Sequence, residues 1–115
     1  MAFSELEIAR YKKAFAVFRE KYGPKPDIRP KLDWGCHIED QSVELYEIRP
    51  RWDDPTQIMH SSFAKATFVK STALWKVYWM RASGKWNSYS PCPEVGTLEK
   101  FFEVVREDAA HCFFG

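Results

Sequence analysis

The sequence lacks any run of about 18 apolar residues, so it offers no helix of membrane-crossing length. It also lacks the pattern of an export signal. Met1-Ala2-Phe3-Ser4-Glu5-Leu6-Glu7 has no basic stretch followed by an apolar one, and a secretory leader is not expected. Cysteine is scarce. The three present, Cys36, Cys92 and Cys112, are odd in number and share no repeated spacing, which argues against a disulfide framework and for reduced thiols in the cytoplasm. Net charge is only +1, unlike the strongly basic body of a dedicated nucleic-acid binder. The glycines, five in all, form no phosphate-cradling loop, and neither a nucleophile elbow nor an HExxH pattern occurs.

Aromatic residues are what the chain has in excess: nine Phe, five Trp and five Tyr in 115 residues. Large rings bury much area each, so one small core suffices, and residues 1–115 are expected to form a single domain. The charge is unevenly spread. Residues 49–86 carry seven basic side chains against Asp53 and Asp54, while the flanking segments are net acidic.

The pattern along the chain predicts an α+β fold. Ser4 with Glu7 makes a capping box, Phe3 with Ile8 is spaced as a hydrophobic staple, and Ile8, Tyr11, Phe15, Phe18 and Tyr22 recur at helical spacing. A helix over about 5–22 follows, ended by Gly23 in a left-handed cap and by Pro24. Lys25 to Pro30 reads as an extended linker because of its prolines. Leu32, Trp34, Cys36 and Ile38 alternate with polar residues as a half-buried strand. A polar turn then leads into a second strand, 43–49, whose inward face is contested between Val43 with Leu45 and Tyr46 with Ile48. Strand three is expected at about 61–70, where Ala64 and Ala66 allow a helix to approach closely. Strand four, 74–82, is apolar on both faces and reads as central and covered on both sides. A short fifth strand lies around 85–89, and Pro91-Cys92-Pro93 ends the sheet. Thr97 caps a second helix carrying Leu98, Phe101, Phe102, Val105 and Ala109. The whole is an N-terminal helix, an antiparallel sheet of four to five strands and a C-terminal helix, in two layers. The apolar ending Cys112-Phe113-Phe114-Gly115 is expected to fold back on the sheet.

No set of residues stands out as catalytic, cofactor-binding or metal-binding. Cys36, His37, His60, Cys92, His111 and Cys112 form no ligand-spaced pair, and Cys36 and His37 point to opposite faces of one strand. Asp53-Asp54 between Trp52 and Pro55 is turn chemistry. The constellation above background is basic and aromatic: Arg49, Arg51, Trp52, Lys85, Trp86 and Tyr89, at strand ends and loops. Guanidinium groups pair with phosphate or carboxylate, and rings stack on bases. These residues point to a non-catalytic binding module whose ligand is single-stranded nucleic acid, a peptide or an anionic small molecule. A small enzyme and an oligomerising structural protein are the alternative readings. No cofactor and no membrane partner are expected.

Arg49-Pro50-Arg51-Trp52, Ala64-Lys65-Ala66-Thr67-Phe68, Trp79-Met80-Arg81-Ala82, Lys85-Trp86 with Tyr89, and Cys112-Phe113-Phe114-Gly115 also occur in a telling order. Over roughly residues 30–115 the chain resembles a bacterial family of small uncharacterised proteins, the domain of unknown function 3024. Members often carry His after the Lys-Trp pair, where this chain has Asn87. The resemblance implies one fold unit and a bacterial origin, and it brings no activity, cofactor or catalytic residue.

Alkylation of the unfolded chain without reductant should add three labels, one per cysteine. A pair of unlabelled thiols would overturn the compartment reading.

Overall fold

The chain enters its first helix through the capping box. In the computed structural model, which describes residues 2–108, Ser4 Oγ accepts from the Glu7 amide at 3.2 Å and Glu7 Oε1 accepts from the Ser4 amide at 2.9 Å. The Ser4 backbone N–H, followed by the Ser4 hydroxyl, holds the Glu7 carboxyl below its ordinary pKa. Helix α1 spans Glu5–Tyr22 and buries Tyr11, Phe15 and Phe18. Gly23 ends it, but not in the left-handed cap: its backbone is extended, φ −78° and ψ −177°. Glycine is needed there for space, since a Cβ would sit 2.6 Å from the Arg19 carbonyl oxygen. The Pro-rich stretch after it is compact rather than extended. Amides of Ile28, Arg29, Lys31 and Leu32 donate to the carbonyls of Lys25 and Ile28, winding successive turns.

Among the described residues six strands follow: β1 Asp33–Glu39, β2 Ser42–Pro50, β3 Ile58–Val69, β4 Leu74–Met80, β5 Trp86–Ser88 and β6 Glu94–Val95. They form one antiparallel sheet in the order β1-β2-β3-β4-β5, with β6 also on β4. The sheet therefore continues past Pro91-Cys92-Pro93, and the Pro93 carbonyl accepts from the Val77 amide. Thr97 caps α2, Leu98–Glu107, by accepting from the Lys100 amide at 3.1 Å. Ala109, His111, Cys112 and the Phe113–Gly115 ending lie outside the described residues.

Val43 and Leu45, fully buried, win the contest for the inward face of β2. Opposite them in register lie Ala66 and Ala64, also fully buried, and Val77 comes next on β4. These short side chains let α2 close on the sheet. The packing is largely aromatic. Phe18 of α1 stacks on Phe102 of α2 at 4.8 Å and on Trp34 of β1 at 5.4 Å. At the other end Phe3 and Tyr11 close on Trp75, at 5.6 and 5.3 Å. Arg19 pins the end of α1 to β1 through two parallel hydrogen bonds to Asp33, both 2.8 Å.

A bulge and an overhang give the sheet its outer shape. Leu45 pairs with Ala64 and Tyr46 with Ser62, so Phe63 is the extra residue of a β-bulge. Both Phe63 and Ala64 then face the core, and Ser62 and His60 turn to the opposite face. The overhang comes from strand length. β3 pairs with β4 only over Ala64–Val69, while its Ile58–Ser62 portion stays paired with β2. The β2–β3 hairpin thus runs past its neighbour as an arm, and the principal extents with the arm included are 46 × 30 × 25 Å.

The Arg19–Asp33 contact carries a pH signature. The Arg19 hydrogen bonds, outweighing partial burial and helped by the Trp34 amide, hold the Asp33 carboxyl below its ordinary pKa. A lowered folded-state pKa stabilises above the unfolded value of about 4, and that stability is lost as pH falls through the folded value. Asp33→Asn should cost about 1 kcal/mol at pH 7. In urea unfolding the gap to the parent should close below about pH 4. A gap that does not change with pH would refute this account.

Candidate functional site

Both helices pack on the sheet face that carries Trp34, Leu45, Ala66, Trp75 and Val77. Among the described residues nothing packs on the other face. Strand β4 is therefore central but covered on one side only, which corrects the expectation of two covered faces. Its outward side chains, Leu74, Tyr78 and Met80, are half-buried by lateral neighbours rather than by a helix.

Strand alternation and register place the outward residues in rows. One row runs His37, Glu44, Lys65, Tyr78 and Ser88 across β1 to β5. The next runs Gly35, Tyr46 and Ser62, with Met80 and Trp86 beyond. Lys65 bridges the rows. Its ammonium lies 5.2 Å from the Tyr78 ring centre and 4.7 Å from that of Trp86, a cation held between two π faces. On the neighbouring strands the Tyr46 ring stacks on His60 at 4.7 Å with planes 18° apart. The bulge at Phe63 makes that stack available, because it turns His60 outward beside Tyr46. Gly35 makes it fit: a Cβ there would overlap the Tyr46 ring, which lies across the glycine.

Two of the acids on this face have local partners. Glu44 accepts a short hydrogen bond from the Ser62 hydroxyl, and Glu39 pairs with His37 at 3.2 Å. His37, Glu44, Tyr46, His60 and Ser62 line an open depression of about 260 Å3. Imidazole, carboxylate and hydroxyl groups can serve acid–base chemistry or hydrogen-bond a ligand, and the depression is open to solvent. The groups with displaced pKa values have structural causes instead. Burial pushes the Cys36 thiol up to about 12, marking it as a core thiol rather than a nucleophile. Cys36 and Cys92 are both free thiols. Among the described residues no three His, Cys, Asp or Glu side chains converge to hold a metal ion.

The six residues singled out by the sequence do not form one surface. Trp86 lies on the open face, with Lys65 over its ring. Lys85, exposed, adjoins it in the β4–β5 turn. Arg49, Arg51 and Trp52 belong to the arm instead. Arg49 pairs with Glu47 at 3.2 Å, Arg51 clamps Asp53 at 2.9 and 2.7 Å, and Trp52 is 94% exposed. Tyr89, 1% exposed, is a core residue and offers no surface to a ligand. Sequence reading did not single out Tyr46, His60, Lys65 and Tyr78 as binding residues. The alternation of Tyr78 with Val77 and Trp79 was a usable signal for one of them, whereas the outward turn of His60 depends on a bulge that no local pattern announces.

A family model described as domain of unknown function (DUF3024) matches residues 3–115, so the chain belongs to that family. No curated protein and no solved structure matches it. No helix among the described residues is long and apolar enough to cross a membrane.

Gly35→Ala tests the seating of Tyr46. It should cost about 1–3 kcal/mol, the usual range for overpacking. The His60 ring protons should also lose the upfield shift that stacking on Tyr46 produces. Unchanged stability together with unchanged His60 resonances would show that the ring does not need the glycine.

Proposed function

We propose that this member of the domain-of-unknown-function family 3024 is a cytoplasmic bacterial binding module that takes single-stranded nucleic acid on the open face of its sheet. The observation that carries the reading is Lys65 seated between Tyr78 and Trp86, beside the Tyr46–His60 stack. Rings lying across an uncovered sheet are stacking platforms for bases, and a cation among them meets the phosphate between two stacked bases. Every base has a π face, so this design favours a strand of any sequence. A duplex, whose bases are stacked on each other, has nothing to offer the rings.

The charge balance sets the strength. Hydrogen bonds from Ser62 and His37 orient Glu44 and Glu39 without cancelling their charge. The outward strand cations among the described residues are Lys65 and, one row away, Lys76, which stands opposite Glu94 of β6 in register. Two phosphate contacts on a single strand give a log–log salt slope of about −1.4, far shallower than that of a dedicated nucleic-acid binder. The cytoplasmic assignment rests on the free thiols of Cys36 and Cys92, and the bacterial one on the family resemblance.

Titrating a fluorescent single-stranded oligonucleotide at low salt tests the proposal. Trp86→Ala and Lys65→Ala should each weaken binding about tenfold, the worth of one stacked base or one phosphate contact. Arg49→Ala with Arg51→Ala should leave affinity nearly unchanged, because those residues stand on the arm. Binding that is undetectable, or that depends on the arm and not on Lys65, would sink the reading.

A further inference from the structure

Exposed large hydrophobic side chains gather in two places. Trp52, Ile58 and Met59 stand on the β2–β3 arm, 94%, 57% and 50% exposed. Val17 and Tyr22, 51% and 50% exposed, lie along a groove between α1 and α2. Leu6 and Ile28 are the others of this kind among the described residues.

The arm presents its tryptophan on a stiff tip. The Arg51 amide donates to the Gln57 carbonyl at 2.9 Å and the Gln57 amide to the Asp54 carbonyl at 3.0 Å, closing the turn. Arg51 also clamps Asp53, and Asp54 Oδ1 accepts from the Thr56 hydroxyl at 2.6 Å. A side chain held out by a loop already ordered loses little entropy on docking. Among the described residues nothing covers the Trp52 ring.

The groove measures about 170 Å3 and has a floor of Ala14, Phe18 and Phe102. A closed apolar cavity of about 150 Å3 holds one benzene ring, so this open groove is of the size to take one aromatic ring with its edge left to solvent. Its rim is charged. Lys21 and Arg106, in the last turns of α1 and α2, stand against Glu99 and Glu103. On the arm, Arg49 before Trp52 is already paired with Glu47 at 3.2 Å, whereas Asp54, on the other side, has a hydroxyl and an amide rather than a cation on its carboxylate.

We infer that the occupant of this groove is Trp52 of a second copy of the chain, and that two copies exchange arms reciprocally about a twofold axis. Each copy then places its tryptophan between α1 and α2 of the other, with Asp54 towards Lys21 and Arg106. A twofold arrangement satisfies both contacts at once and closes without leaving a free arm or an empty groove. The pairing uses neither Lys65 nor the open sheet face, so it stands or falls separately from the nucleic-acid reading.

Sedimentation equilibrium on the full chain gives the test. The parent should associate to a dimer in the micromolar range. Trp52→Ala removes both reciprocal contacts and should weaken dimerisation about a thousandfold, roughly thirtyfold for each hot-spot tryptophan. Val17→Glu, on the exposed side of a helix where glutamate is well tolerated, should do the same from the groove side while leaving the melting curve of the monomer unchanged. Mixing the two variants should then yield heterodimers, because one intact tryptophan meets one intact groove. A parent that stays monomeric overturns the proposal, as does a dimer insensitive to either variant. Loss of association with Trp52→Ala but not with Val17→Glu overturns it too, since the tryptophan then seats elsewhere.

Discussion

Phe18 holds the domain together. Its ring lies nearly parallel to Phe102, 10° between planes, and to Trp34, 23° between planes, so one side chain joins α1, α2 and the edge strand β1. Offset ring pairs gain roughly 0.5–1.5 kcal/mol beyond the burial of their area, and here one residue makes two of them. The bidentate Arg19–Asp33 contact lies one residue along the helix and fixes the same junction from its polar side. Packing both helices against this junction commits them to one face of the sheet. Everything that distinguishes the other face results from that commitment.

An antiparallel sheet covered on one side normally shows polar residues to water on the other. This sheet shows Tyr46, Tyr78 and Trp86 there, and keeps them half-buried by laying Lys65 and His60 over them. The rings are thus shielded in the unliganded protein without a covering helix. A ligand that replaces the lateral contacts by stacking gains from a surface already arranged. The same economy does not extend to the arm, where Trp52 is left in water. The two surfaces differ in kind: the sheet face carries rings laid flat with a cation among them, and the groove between the helices is apolar at its floor and charged at its rim.

The bulge at Phe63 connects core and surface. In an unbroken strand a period of two would place Ser62 and His60 on the same face as Ala64. One extra residue sends Phe63 inward to Trp34, at 6.0 Å, and sends Ser62 and His60 outward to Glu44 and Tyr46. A packing need of the core and the composition of the open face are in this way a single structural event. Gly35 completes it by yielding the space above its Cα to the Tyr46 ring.

By itself the sequence determined what is local. The capping box at Ser4 and Glu7, the aromatic stripe of α1, the alternation of β1 and the Thr97 cap each depend on residues within a turn or a strand, and the two-layer α+β arrangement is set by their order. Contacts between residues far apart in the chain were decided only by the tertiary structure. Which face of β2 turns inward depended on Ala64 and Ala66 being small opposite Val43 and Leu45. Gly23 and the segment from Pro24 to Leu32 departed from their local preferences, because the chain must return from the end of α1 to the start of β1, where Arg19 meets Asp33. The candidate residues Arg49, Arg51, Trp52, Lys85, Trp86 and Tyr89 share chemistry in the sequence, but strand length and pairing send them to an arm, an open face and the core. Lys65, with an alanine on either side, becomes the centre of the open face only because register brings two distant rings to its ammonium. Residue type is written locally, whereas neighbourhood across strands is set by pairing, and a binding surface is made of neighbourhoods.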